Sequence, residues 1–249
     1  MNKKLDIIYG IRSVLEAVKA GQQMERVFLQ KNLKGDLYKE LMLVLHQQTV
    51  PLSKVPIERI NKFTRKNHQG VVALISPIQY HKLEHLVPQL FEEGKSPLLL
   101  LLDEVTDVRN FGAIARSAEC MGVDGIVIPT RGGAQVNEDA MKTSAGAFNY
   151  LPVSRVNQLL EAVDLLKSSG YQIISCTEKA QKLLSDIDFS SPTALVMGSE
   201  EHGISSQIME ASDSLVQIQL TGEIESLNVS VATGIALYEI QRQRLNPLS

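Results

Sequence analysis

Three stretches of this sequence carry side chains able to hold a small polar ligand and to manage a proton. The first, TDVRNFGAIARSAECMG, sets Asn110 ahead of Ala113, Ile114, Ala118 and Met121 at helical spacing, with Arg116 six residues further on. Asn110 suits a helix N-cap, and an arginine there offers a planar fork for a phosphate or a hydroxyl. In the second, GSEEHGIS, Gly198 and Gly203 flank a Ser-Glu-Glu-His turn. Backbone amides in such a turn hold an anion or an adenosine edge; equally, Glu200 and Glu201 favour a helix start through its dipole. The third, QLTGEIESLNVSVATGIALYEIQRQR, gives a second N-cap candidate, Asn228, before a long helix. Ser230 and Gly234, and again Ala232 and Ala236, stand four apart on it, a small-residue stripe suited to packing inside a domain or at a subunit interface. Gly112 has the plain reading of a residue that lets two helices approach.

What these loops do together depends on the elements that carry them. LLLLLD, GIVIP, YQIISC, TALVMG and SLVQI read as buried strands separated by helical stretches. Continuous apolar strands alternating with helices predict a parallel sheet covered on both faces. Ligands bind such sheets in the loops after the carboxyl ends of the strands, and all three loops fall there, as a transferase site requires. Upstream, IRSVLEAVKA is an apolar-periodic helix with Gly21 just past its end. ERVFLQ and GVVALIS read as strands and DLYKELMLVLHQQ as a helix. The expected organisation is a small α/β module over 1–78, a connection over 79–96 containing EEGKSP, and a parallel-sheet module over 97–249.

Charge divides the chain at the same place. The formal net charge is −3, yet residues 1–95 hold 15 Lys and Arg against 9 Asp and Glu, and residues 96–249 hold 10 against 19. That asymmetry, +6 against −9, predicts modules with different partners. Basic residues are densest at Lys54, Arg59, Lys62, Arg65 and Lys66, with His68 close by. They read as a solvated face or as a phosphate-binding surface, since neutralising phosphates supplies most non-specific nucleic-acid affinity.

With 249 residues, 44% hydrophobic and 21% charged, the composition is that of a globular protein, and it excludes a disordered, collagen-like or disulfide-framed chain. Cys120 and Cys176 lie far apart without metal spacing, which points to a reducing compartment. The apolar run Leu98 to Leu102 falls far short of the roughly 20 residues of a membrane span. MNKKLDIIYG lacks the apolar stretch of a secretory signal, so the expected location is the cytoplasm. There is no G-x-G-x-x-G, and GKS at Gly94 to Ser96 is not a P-loop. No G-x-S-x-G elbow is present. His81 and His85 stand four apart with no third ligand apparent, so a solvated helix face is expected rather than a metal site.

NFGAIARSAE, LVMGSEEHGIS and SLNVSVATGIALYEIQRQR, in this order and spacing, resemble the three motifs of the SPOUT RNA methyltransferases, and within them the TrmH group of ribose 2′-O-methyltransferases. YGIRSVLEAV with NHQGVVALIS resembles the N-terminal substrate-binding domain of the RlmB-type branch, which modifies a guanosine of bacterial large-subunit rRNA. The resemblance covers essentially the whole chain. It implies an S-adenosylmethionine cofactor in a deep trefoil knot and a homodimer with the site completed near the interface. Gly198, Ile218, Leu220 and Leu227 would line the cofactor, largely through backbone groups, with Met197 and Gly203 beside them. Asn110, Arg116, Glu200, Ser226 and Asn228 fall on the family's polar catalytic positions. The chain departs from many relatives at Gln219 and Leu220, where Pro and Met are common, and at Tyr9, where His is common.

A sulfonium methyl is already activated, so such an enzyme mainly aligns it with a ribose hydroxyl and removes one proton, with no metal required. The resemblance makes Arg116 the candidate base, but a guanidinium ordinarily keeps its proton; gripping a phosphate is the easier physical role. Alternatives are a tRNA target, a silent RNA-binding assembly protein of the same fold, and an unrelated nucleotide-binding α/β enzyme.

Overall fold

The computed structural model describes residues 6–92, 94 and 96–245. The chain forms two compact units, residues 1–79 and 80–249.

In the first unit the order is β1 (Ile7–Tyr9), α1 (Ile11–Lys19), β2 (Met24–Gln30), α2 (Asp36–Gln47), β3 (Leu52–Val55), α3 (Ile57–Asn61) and β4 (Val71–Ile75). Its sheet runs β1-β4-β2-β3, with β2 and β3 parallel and the other neighbours antiparallel. Alternation along the strands builds two cores. Val27, Leu29, Val71 and Ala73 pack against Val14, Leu15 and Val18 of α1 and Leu41 and Leu45 of α2. Phe28 and Val72 face the other way, onto Ile60 of α3. Helix α1 stops as its sequence predicts. Gly21 takes φ +85°, its N–H reaches the Val18 carbonyl at 3.1 Å, and the Gln22 N–H reaches that of Ala17 at 2.9 Å, a Schellman closure.

The second unit runs β5 (Tyr80–His81), α4 (Leu83–Glu92), β6 (Leu98–Asp103), α5 (Val108–Cys120), β7 (Gly125–Pro129), α6 (Glu138–Thr143), β8 (Val153–Val156), α7 (Leu159–Ser168), β9 (Gln172–Cys176), β10 (Lys182–Leu183), β11 (Thr193–Gly198), α8 (Ser206–Ala211), β12 (Ser214–Gln217) and α9 (Val229–Leu245). The strands make one eight-stranded sheet in the order β10-β12-β9-β11-β6-β7-β8-β5, and every pairing in it is parallel. All six residues of β6 are buried, which is why this strand is an unbroken apolar run rather than an alternating one. Leu99 and Leu101 face α4, α7 and α8, while α5 and α9 pack against each other and α9 against β11. Arg244, in the last turn of α9, donates to the carbonyls of Ser96 at 2.7 Å, Phe189 at 2.9 Å and Ser191 at 3.2 Å.

Two expectations change. The stretch 79–96 is not merely a connection: β5 pairs with β8, and Leu83, Leu86, Val87 and Leu90 of α4 enter the core; Glu93 and Lys95 of EEGKSP lie outside the described residues, as do residues 1–5 of the N-terminal stretch. The cap of α5 is Asp107 rather than Asn110, its carboxylate accepting from the Arg109 and Asn110 amides at 2.9 and 2.8 Å. Gly112 has the packing role read for it, since a Cβ there would fall 2.7 Å from the Ala140 carbonyl oxygen of α6.

Candidate active site

The order in which strands are added reverses at β6, with β7 on one side and β11 on the other, and the three motif loops gather at the carboxyl ends beside that point, where such folds place ligands. The first loop leaves β6 through Asp103, buried, whose Oδ2 accepts from the Ser205 amide at 2.8 Å. With Asp107 capping α5, the Asn110 side chain is released from that task, and its Nδ2 donates to Glu200 Oε1 at 3.0 Å.

The loop after β11 is a tight reversal. Ser199 and Gly203 exchange backbone hydrogen bonds of 3.1 and 2.9 Å, Gly203 adopts φ +70°, and the Ser199 hydroxyl accepts from the His202 amide at 3.1 Å. Gly198 closes the fold-back from beneath: a Cβ there would lie 2.2 Å from the Gly203 carbonyl carbon. Only bare backbone fits. The reversal delivers Glu200 to the start of α9. There Oε1 also accepts from the Val229 amide at 3.2 Å and from Asn228 Nδ2. Glu200 therefore serves a helix N-terminus, though that of α9 and not of the α8 that follows it in sequence. Asn228 is the cap expected for α9, Oδ1 accepting from the Ser230 amide at 3.0 Å and its hydroxyl at 2.5 Å.

Beside this cluster lies a cavity of about 420 Å³. Met197, Gly198 and Gly203 line it from β11 and its loop, and Ile218, Leu220 and Leu227 from the loop before α9. Glu200 and Ser226 stand at its wall. Of the residues read from the motifs, then, Asn110, Glu200 and Asn228 meet directly, and the expected cofactor-lining set shares one cavity. Arg116 is not among them. It is exposed on α5, and six residues beyond Asn110 places it about 9 Å along the helix and about 120° around it. Among the described residues it makes no hydrogen bond or ion pair.

Sequence reasoning missed the fourth wall. Cys176, Thr177, Glu178 and Lys179, at the carboxyl end of β9, also line the cavity. YQIISC is legible as a strand, so the carboxyl-end rule was the available signal. Burial pushes the Cys176 thiol up from 9.0 to about 12, with the charge of Glu178 adding to it; the thiol is a neutral part of the lining. Among the described residues no group of three or more His, Cys, Asp or Glu is placed to hold a metal ion, and no helix is long and apolar enough to cross a membrane.

The basic residues of the first unit lie on and around α3. Lys54 is on β3, Arg59 sits over the Phe28 ring at 5.8 Å, Lys62 caps the end of α3, and Arg65 and Lys66 follow in the loop. All five are exposed. His68 differs from its neighbours: it is buried, bonded to Asn61 Oδ1 at 2.9 Å and to the Gly70 amide at 3.0 Å, and anchors the loop.

Residues 97–238 match the SpoU rRNA methylase family. The chain belongs to that family. Residues 7–81 match the RNA 2′-O ribose methyltransferase substrate-binding family, so the SpoU unit is preceded by its partner module. A Bacillus subtilis protein named as a putative TrmH family tRNA/rRNA methyltransferase is 31% identical over the whole of this chain and 99% of its own length. A Synechocystis protein named as an uncharacterized tRNA/rRNA methyltransferase is 37% identical over 96% of this chain, which spans 63% of that protein's length. Among solved structures, the SpoU methyltransferase AviRb of Streptomyces viridochromogenes, in complex with AdoMet, shares the fold with a TM-score of 0.62 at 24% identity, covering 96% of this chain and 90% of its own. The Aquifex aeolicus TrmH/SpoU tRNA-modifying enzyme matches 66% of this chain and 84% of its own at 32% identity, with a TM-score of 0.55. This SpoU protein is an RNA methyltransferase.

Proposed function

We propose that this chain transfers the methyl group of S-adenosylmethionine to a ribose 2′-hydroxyl of RNA, with a guanosine of bacterial 23S rRNA as its target. The observation that carries the reading is the junction of Asn110, Glu200 and Asn228 at the wall of the cavity. The cavity fits the cofactor. Its volume of about 420 Å³ lies in the range of small-molecule sites, Gly198 keeps one wall bare backbone, and Ile218, Leu220 and Leu227 supply apolar surface. When bound, S-adenosylmethionine supplies a methyl group already activated on a positively charged sulfur.

The chain's own residues then have two tasks, to align the ribose hydroxyl and to take its proton. Asn110 and Asn228 are held rigidly by Glu200, and Ser226 adds a hydroxyl at the same wall. Arg116 grips the substrate phosphate and orients the hydroxyl. Its place outside the cavity of its own chain supports a homodimer in which a subunit interface completes the site. Lys54, Arg59, Lys62, Arg65 and Lys66 hold the RNA, and the protein works in the cytoplasm without a metal.

Mass mapping of ribose methylation in ribosomal RNA from a strain lacking the protein tests the reading. One 23S guanosine losing its 2′-O-methyl group, restored by the parent gene, is the expected result. A loss confined to tRNA would move the target; unchanged methylation in both RNAs would overturn the proposal.

A further inference from the structure

The motif reading accounts for the walls contributed by β11, α9 and the loop before it, but not for the wall at the end of β9. There Glu178 is exposed and turned onto the cavity. Its Oε2 takes the Thr177 hydroxyl at 3.3 Å, and its Oε1 stands 4.0 Å from where a Cβ on Gly203 would sit. Thr177, by contrast, is buried, and its hydroxyl oxygen also receives the Lys179 amide at 3.4 Å. The turn is thus pinned through Thr177, while most of the acceptor capacity of the Glu178 carboxylate is left unused.

Three carboxylates besides Glu178 border the cavity, and they are differently placed. Oε1 of Glu200 is saturated by three N–H donors. Glu201 lies 4.0 Å from the His202 imidazole, and Glu225 is carried on the loop opposite, before α9. Only Glu178 projects from the strand next to β11, whose glycine turn forms the bare backbone wall. An acidic side chain at the end of a strand adjoining a glycine turn is what nucleoside sites of parallel sheets use to accept from ribose hydroxyls. A carboxylate with free lone pairs takes two O–H donors at once.

We infer that Glu178 is a specificity-determining residue that reads the ribose diol of the nucleoside half of the cofactor. The inference rests on the reading above that the cavity takes S-adenosylmethionine. It assigns Glu178 no part in moving the methyl group or the proton. A site built to hydrogen-bond a hydroxyl rejects the analogue that lacks it, because the acceptor is then left without its donor.

Calorimetry on the full chain tests this, using S-adenosylmethionine, S-adenosylhomocysteine, adenosine, 2′-deoxyadenosine and 3′-deoxyadenosine. The parent should bind adenosine about 10-fold or more tighter than at least one deoxy analogue. In Glu178→Gln that preference should shrink to within about 2-fold, with S-adenosylmethionine and S-adenosylhomocysteine weakened alike, and Glu178→Asp should restore part of it. Unchanged melting temperatures would show that both variants fold. An undiminished preference in Glu178→Gln, or none in the parent, would overturn the inference. So would a loss confined to S-adenosylmethionine, which would mean that the carboxylate answers the positive sulfur. If the parent bound neither S-adenosylmethionine nor S-adenosylhomocysteine, the failure would lie with the reading of the cavity and carry this inference with it.

Discussion

Asn110 and Asn228, 118 residues apart, are bonded amide to amide: Nδ2 of Asn228 donates to Oδ1 of Asn110 at 3.1 Å. Both amides also donate to the same oxygen of Glu200. The orientation of Asn228 is fixed by its own helix, because the Ser230 amide and hydroxyl both require Oδ1 on their side. Nδ2 is thereby committed to Glu200, and the three motifs are joined by hydrogen bonds that leave no amide free to flip.

Removing the shared acceptor should loosen all of them together. Glu200→Ala strands three N–H donors, and should cost about 1–3 kcal/mol of stability with methyl transfer down on the order of 100-fold. Thermal melting and single-turnover methylation of an rRNA fragment check the two losses. Full turnover in a destabilised variant would show Glu200 to be structural alone.

Gly198 and Gly203 should respond differently to the same added methyl. At Gly198 a Cβ meets backbone at 2.2 Å, so Gly198→Ala must move the reversal, and its affinity for S-adenosylhomocysteine should fall by at least about 10-fold, with overpacking costing about 1–3 kcal/mol. At Gly203 the nearest atom is 4.0 Å away, and Gly203→Ala carries only the left-handed backbone cost of about 1–2 kcal/mol. Calorimetry beside melting curves separates a filled cavity from a strained turn.

Arg116→Lys and Arg116→Ala should both lose on the order of 100-fold or more in methyl transfer, while cofactor affinity stays within a few-fold of the parent. The side chain lies outside the cavity, so neither change reaches the cofactor wall. Near-parental turnover in the lysine variant would show that charge alone suffices, since an ammonium keeps the charge and loses the fork.

Replacing Lys62, Arg65 and Lys66 together with alanine should weaken RNA binding and flatten its dependence on salt, by a slope of roughly 0.7–0.9 for each phosphate no longer neutralised. Cofactor binding should not change, because these side chains belong to the first unit and the cavity to the second. A salt series of RNA affinities with an unaltered slope would remove this face from the RNA-binding surface.

The two cysteines should differ in reactivity. Cys120 is exposed, whereas burial holds the Cys176 thiol up near 12. At pH 8 iodoacetamide should modify Cys120 first, as read by peptide mass spectrometry. Because the Cys176 thiol is raised when folded, its contribution to stability is complete below the ordinary thiol value of 9.0 and is lost as pH climbs towards 12. Cys176→Ala should therefore lose less melting temperature than the parent between those limits.

The strands that build the site wall are legible because two-sided burial writes itself as an apolar run: β6 and β11 are such runs, and β9 keeps the pair Ile173 and Ile174 buried at its centre. Strand β8 is not, since VSRV spends half its length on Ser154 and Arg155, and two-residue β5 and β10 leave no pattern at all. The cap of α5 escapes for a sharper reason. Asp107 and Asn110 are both good caps three residues apart, and only the extended backbone of Asp107, φ −69° and ψ 120°, decides between them. Spacing along the chain puts Arg116 within reach of the strand ends, but its position around α5 turns it away. Glu178 is a single acidic residue in CTEKA, and only the neighbouring of β9 and β11 makes it part of a site.

Arg244 fastens the far end of α9 to three carbonyls, while Asn228 ties its near end to Glu200. During synthesis, therefore, the ribosome releases every other described element before the segment that finishes the cavity. A nascent chain stopped short of Leu227 would hold the residues of every strand, the glycine reversal and the basic module, yet lack Leu227, Val229 and Ala232 of the cavity lining and the Asn228 cap that joins α9 to Glu200.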